Sequence, residues 1–139
     1  MDKTFSLETI RHSAAHVLAQ AVLRHYPTAK LGIGPAIEDG FYYDFDLEHS
    51  ITESNLKEIE KTMKIIIKEK QLFEHYTLSR SETIAKLSKE NQSYKLELVD
   101  DLDIDEYSFY ENGPFVDLCR GPHIDNTKQI KAVKLLKVA

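Results

Sequence analysis

Apolar residues recur every three or four positions across 6–26 and again across 53–70, and at every second position between 41 and 47. The first two patterns predict helices and the third a strand. In the first helix Ile10, Ala14, Val17, Leu18 and Ala21 form one stripe. At about 100° per residue, His12, His16, Ala19 and Leu23 fall nearly opposite. Both sides are therefore largely apolar, so this helix should be covered on two faces. Ser6 or Thr4 can cap it, and Pro27 ends it. The second helix, with Thr52 as cap, buries Leu56, Ile59, Met63, Ile66 and Ile67. Its row of Lys57, Lys61, Lys64 and Lys68 reads as a solvated face rather than an RNA-facing one, given Glu58 and Glu60 nearby.

Between these helices, residues 29–47 predict a β-hairpin turning at Asp39-Gly40. Phe41, Tyr43, Phe45 and Leu47 share one of its faces. Gly32-Ile33-Gly34 lacks the further glycines of a phosphate loop and reads as backbone passing close to a neighbour. Residues 72–78 suit a strand, and Ser79 with Glu82 forms a capping box opening a helix through Lys89. Residues 93–99 both alternate and fit a helical face, and a short helix is the reading adopted. Residues 100–106 read as a solvated acidic turn, since EF-hand spacing is missing. A second hairpin covers 107–118 about Asn112-Gly113, Arg120-Gly121-Pro122 turns the chain, and 129–138 predicts a last strand. This order implies an α+β fold, a mostly antiparallel sheet covered by helices, with a cleft between the first helix and the Cys119–His123 turn.

The length of 139 residues suits a single domain spanning 1–139. A net charge of −5 argues against strong nucleic-acid binding by bulk electrostatics, so any RNA contact should be local or shared with another domain. No apolar run is long enough to cross a bilayer, and no signal peptide is visible. The one cysteine cannot form an internal disulfide, which fits a reducing, cytoplasmic location.

Candidate chemistry concentrates in two stretches. His12-Ser13-Ala14-Ala15-His16 places two imidazoles on one helix face, and Cys119-Arg120-Gly121-Pro122-His123 places a thiol and an imidazole across a turn. Together they could bind zinc as a His3Cys set, position a water without metal, or activate Cys119 as a nucleophile. Lys95 and Asp117 are further candidates; Asp117 alternates with Val116 and Leu118 beside the Cys-His turn. Tyr43 lies on the aromatic face of the first hairpin and needs a hydroxyl partner if buried.

These motifs carry a family resemblance. Arg11 to His16, the run Leu31 to Phe45 with its Gly-Ile-Gly-Pro and Phe-Tyr-Tyr-Asp segments, Phe115 to His123 and Ile130 to Lys137 resemble, in order, the N-terminal editing domain of bacterial-type threonyl-tRNA synthetase. The paired His-x-x-x-His and Cys-x-x-x-His also resemble alanyl-tRNA synthetase editing domains. The resemblance implies proofreading: hydrolysis of mischarged seryl-tRNA(Thr), bound by its 3′ end. A synthetic pocket rejects a substrate lacking one methyl by only about 1–3 kcal/mol, so a second site is needed. Carried over by position, His12, His16, Lys95, Cys119 and His123 line a catalytic pocket, with Lys95 and His12 positioning or activating water. Asp117 is then expected to bind the substrate amino group and Tyr43 to sit against the substrate. The small Ala15 and Ala19 would leave room for a seryl group. No metal or other cofactor is expected on the threonyl-type reading. A zinc-dependent alanyl-type trans-editing hydrolase and a non-catalytic tRNA-binding module are the alternatives. The family also implies partner synthetase domains, so the chain reads as an excised fragment or a free-standing module.

Overall fold

The structure is a computed structural model describing residues 5–102 and 104–138. Helix α1 spans Leu7–His25, capped by Ser6, whose side chain accepts the Thr9 N–H. The alternative cap Thr4 lies outside the described residues. Val17, Ala21 and Val22 on one side of α1 meet Ile59, Met63 and Ile66 of helix α2 (Glu53–Lys68) in the main core. On its other side Ala19 joins Leu31 and Phe115 in a smaller cluster. The helix is thus covered on two faces, as its double apolar stripe requires. Lys57, Lys61, Lys64 and Lys68 are all exposed.

The first hairpin pairs in two short ladders, β1 (Lys30–Leu31) with β4 (Phe45–Asp46) and β2 (Ala36–Ile37) with β3 (Gly40–Phe41). Its turn is Glu38-Asp39, one residue before the Asp39-Gly40 expected. The Gly32–Pro35 stretch between the ladders runs against the returning strand: a Cβ on Gly34 would fall within the Tyr43 ring. That close approach, rather than phosphate binding, accounts for the glycine.

Strand β5 (Phe73–Ser79) pairs antiparallel with β6 (Glu106–Asn112), which pairs with β7 (Phe115–Leu118). Helix α3 (Arg80–Lys89) opens on the Ser79/Glu82 capping box. Helix α4 (Ser93–Asp101) covers a second core with Val99 against Tyr107 and Phe109. It absorbs Asp100 and Asp101 of the expected acidic turn, of which Asp103 lies outside the described residues. The β6–β7 turn is Gly113-Pro114, with Gly113 at φ +57°.

The fold is therefore α+β and antiparallel, with three small sheets rather than one among the described residues. The strand expected over 129–138 does not form. A short 3-10 turn occupies Thr127–Gln129, and the rest is unpaired. Its alternation serves helix packing instead: Ile130, Val133 and Leu135 lie on the main core, and the Leu135 N–H donates to the Glu60 carboxylate of α2 at 2.7 Å.

Candidate active site

Helix α1 and the corner after β7 meet directly. The His12 and His123 rings stack with centroids 4.5 Å apart, and His16 meets His123 edge-on at 4.8 Å. Cys119 Sγ lies 3.2 Å from His123 Nε2 and 3.5 Å from His12 Nε2. The Gly121 N–H also points at this sulfur, at 3.3 Å. Gly121 has φ +77°, and a Cβ there would strike the Tyr110 hydroxyl, so the corner requires glycine.

Hydrogen-bond accounting sets both tautomers. The Ser13 hydroxyl donates its single proton to the Thr9 carbonyl at 2.9 Å and accepts the Ile124 N–H at 3.0 Å. Its remaining lone pair, 2.9 Å from His123 Nδ1, can only accept, which puts the His123 proton on Nδ1. His12 Nδ1 faces the Pro122 carbonyl at 3.3 Å, so its proton is there too. Both Nε2 lone pairs therefore converge on Cys119. Ser13 was not singled out from the sequence; its partners His123 and Ile124 lie more than a hundred residues away, and no local signal marks it.

Burial, then the neighbouring His16 and His12, lower the His123 pKa to about 2. Burial, then His12 and Lys95, lower that of His16 to about 3. Both rings are neutral at physiological pH. Burial pushes the Cys119 thiol up to about 11, so the sulfur stays protonated and is poorly suited to act as a nucleophile.

A second polar group adjoins the first. Lys95 Nζ lies 3.3 Å from Asp117 Oδ1, and both side chains are buried. The Tyr43 hydroxyl donates to Asp117 Oδ2 at 2.9 Å, and burial followed by Asp117 raises its pKa. Asp117 and Cys119 are two residues apart, and the Cys119 N–H continues the ladder to the Ser108 carbonyl at 2.9 Å, so both project to one side. Lys95 arrives from α4, which Gln92 ties to β1: its side chain accepts the Leu31 N–H at 2.8 Å and donates to the Ala29 carbonyl.

All seven candidates thus lie in one neighbourhood. Between α1 and the turn, where a cleft was expected, the rings and the sulfur are in contact. Ala15 and Ala19 are fully buried in packing and line no opening. Open ground lies beside the cluster, at half-buried His12 and Cys119. A separate surface hollow of about 610 Å³, lined by Lys95, Ile33, Phe45, Tyr94 and Leu98 together with the acidic Asp44, Asp46, Glu97 and Asp101, reaches Lys95 but is lined by none of the imidazoles nor by Cys119.

His12, Cys119 and His123 could hold a metal ion, since their ligand atoms lie within 4.8 Å of one another. Both rings donate their other nitrogen to an oxygen, as metal-bound imidazoles commonly do. His16 stands outside this set, with a buried Nε2 that completes no hydrogen bond.

Residues 107–139 match the family described as threonyl and alanyl tRNA synthetase second additional domain. The chain is 53% identical over 133 residues to a threonine–tRNA ligase of Clostridium novyi, covering 95% of this chain and 21% of that protein. It is 51% identical to that of Clostridioides difficile over the same shares, and 50% identical to that of Dehalococcoides mccartyi over 96% of the chain and 22% of the relative. It therefore spans about a fifth of the length of these relatives. By these matches residues 107–139 are similar to the threonyl and alanyl tRNA synthetase second additional domain, and nearly the whole chain is similar to about a fifth of a threonine–tRNA ligase.

Proposed function

We propose that this chain proofreads by hydrolysing the ester of seryl-tRNA(Thr), releasing serine and free tRNA. The observation that carries this reading is the meeting of the imidazole–thiol cluster with the buried Lys95–Asp117–Tyr43 group. An aminoacyl ester is already activated, so a positioned water and a proton path suffice, each well-placed acid–base group contributing about a hundredfold or more.

In this reading the ester lies over the half-buried edge of His12 and Cys119, with the amino group on Asp117. Tyr43 and Lys95 fix that carboxylate. His12, the least buried imidazole of the cluster, takes the proton from the attacking water, and Lys95 orients the water and offsets the charge developing on the carbonyl oxygen. His123 and His16 stay neutral and give the cluster its shape. Threonine is excluded by its additional methyl. The tRNA 3′ end is the partner, and the remaining domains of a synthetase would supply most of the grip that a chain of net charge −5 lacks.

The test is release of serine from seryl-tRNA(Thr) by the purified chain, with threonyl-tRNA(Thr) alongside. Loss of the seryl ester with the threonyl ester spared is expected; an intact seryl ester at high concentrations of folded protein sinks the reading. Lys95→Ala and His12→Ala should retain tRNA binding and lose hydrolysis, whereas a non-catalytic tRNA-binding module would show no hydrolysis to lose.

The 4.8 Å grouping of His12, Cys119 and His123 favours one second reading, a zinc-dependent hydrolase of the alanyl type. In it the metal would supply an activated water. Stoichiometric zinc in protein never exposed to chelator would select it.

A further inference from the structure

We propose that Asn112 is a positioning residue that holds His16 as its Nε2–H tautomer, through a chain of fixed amides anchored at the surface. Two neighbouring buried atoms each lack a hydrogen bond, His16 Nε2 and Asn112 Oδ1, and they are complementary if the ring nitrogen carries a proton. The Asn112 side chain is near enough to His16 to favour its protonation, though the contact falls short of a completed bond.

The orientation of every amide in the chain follows from one carboxylate. Arg24 holds Glu69 at 2.9 Å, and a carboxylate only accepts. Glu69 therefore takes the Gln71 NH2 group, at 2.8 Å, which turns Gln71 Oε1 inward. That oxygen accepts from Gln20 Nε2 at 3.1 Å and from Asn112 Nδ2 at 2.8 Å. Asn112 Nδ2 spends its other proton on Gln20 Oε1 at 2.7 Å. With both donors committed, Asn112 can present only its oxygen to His16. A ring whose Nε2 meets an acceptor carries its proton there and keeps its lone pair on Nδ1. Asn112 is fully buried at the end of β6, and Gln20 stands one helical turn beyond His16 on α1, so strand and helix are tied together at the ring. The role in hydrolysis rests on the function proposed above; the tautomer does not.

The test is long-range 15N–1H NMR of the His16 ring nitrogens at neutral pH. In the wild type, Nε2 should carry a proton shielded from solvent exchange. In Asn112→Leu the acceptor is gone, and the Nε2–H signal should broaden with exchange or the tautomer ratio should move. Glu69→Leu, at an exposed position, keeps the test available if Asn112→Leu does not fold; it frees Gln71 and should also perturb the His16 signals. Hydrolysis by Asn112→Leu should fall about tenfold in kcat with KM little changed, and Asn112→Asp, which keeps the acceptor, should move the His16 titration upward. An Nδ1–H tautomer in the wild type, or unchanged ring signals in the folded variants, overturns the assignment. A protected Nε2–H in a protein that never deacylates seryl-tRNA would uphold the tautomer and reject only the proposed function.

Discussion

His16 is an ionisable ring kept neutral by burial, and this gives a pH dependence. The unfolded chain protonates this histidine below about 6.5, whereas the folded chain does so only near pH 3. Between those values the unfolded state binds more protons, so stability is full above about 6.5 and is lost as pH falls towards 3. Acid denaturation followed by circular dichroism should show this loss, and His16→Gln should make the profile shallower while leaving the share from His123. Lys95 gives a second prediction. Replacement by Met leaves Asp117 buried without its counter-charge and should cost about 3–5 kcal/mol in denaturant melts. His12, His16, Cys119 and His123 stood out because two pairs of metal- or proton-handling side chains, each four apart, are hard to explain as packing, whereas the roles of Lys95, Asp117 and Tyr43 came from the family resemblance. Ser13, Gln20 and Asn112 did not stand out, because their roles arise from partners supplied by other elements.

Among the elements, local signals were reliable wherever local chemistry decides. The capping box read at Ser79 with Glu82 forms, Thr52 caps α2 as expected, and the 93–99 ambiguity resolves to a helix over Ser93–Asp101 that buries Val99. Each hairpin exists, but each turn is displaced by one residue from the Asp-Gly or Asn-Gly pair that marked it. The 129–138 alternation misled because an apolar-polar pattern records which residues face a core, and here that core is a helix surface. Two consequences are testable at this scale. Gly121→Ala adds a Cβ at a left-handed φ and against the Tyr110 hydroxyl, so it should cost at least about 1–2 kcal/mol and displace Cys119 and His123. NMR of the His123 ring would report the shift. Ile66→Ala, at the centre of the α1–α2 core, should cost about 2–5 kcal/mol in thermal or chemical melts, without directly disturbing the polar cluster.

For the molecule as a whole, sequence order implied an α+β fold, and the helices and antiparallel ladders agree. How the parts approach one another was less legible. His12 meets the Pro122 carbonyl at 3.3 Å where the cleft was expected, and a hollow lined by Lys95 opens beside the first hairpin. Among the described residues no helix is long and apolar enough to cross a membrane. The chain matches about a fifth of a threonine–tRNA ligase, and its net charge of −5 is poorly suited to binding nucleic acid by bulk electrostatics. The most direct measurement is a crystal structure of the chain with a non-hydrolysable seryl-adenosine mimic. The account predicts the serine amino group on Asp117 and the ester carbonyl within reach of Lys95 and His12. A mimic bound away from all three residues would contradict it.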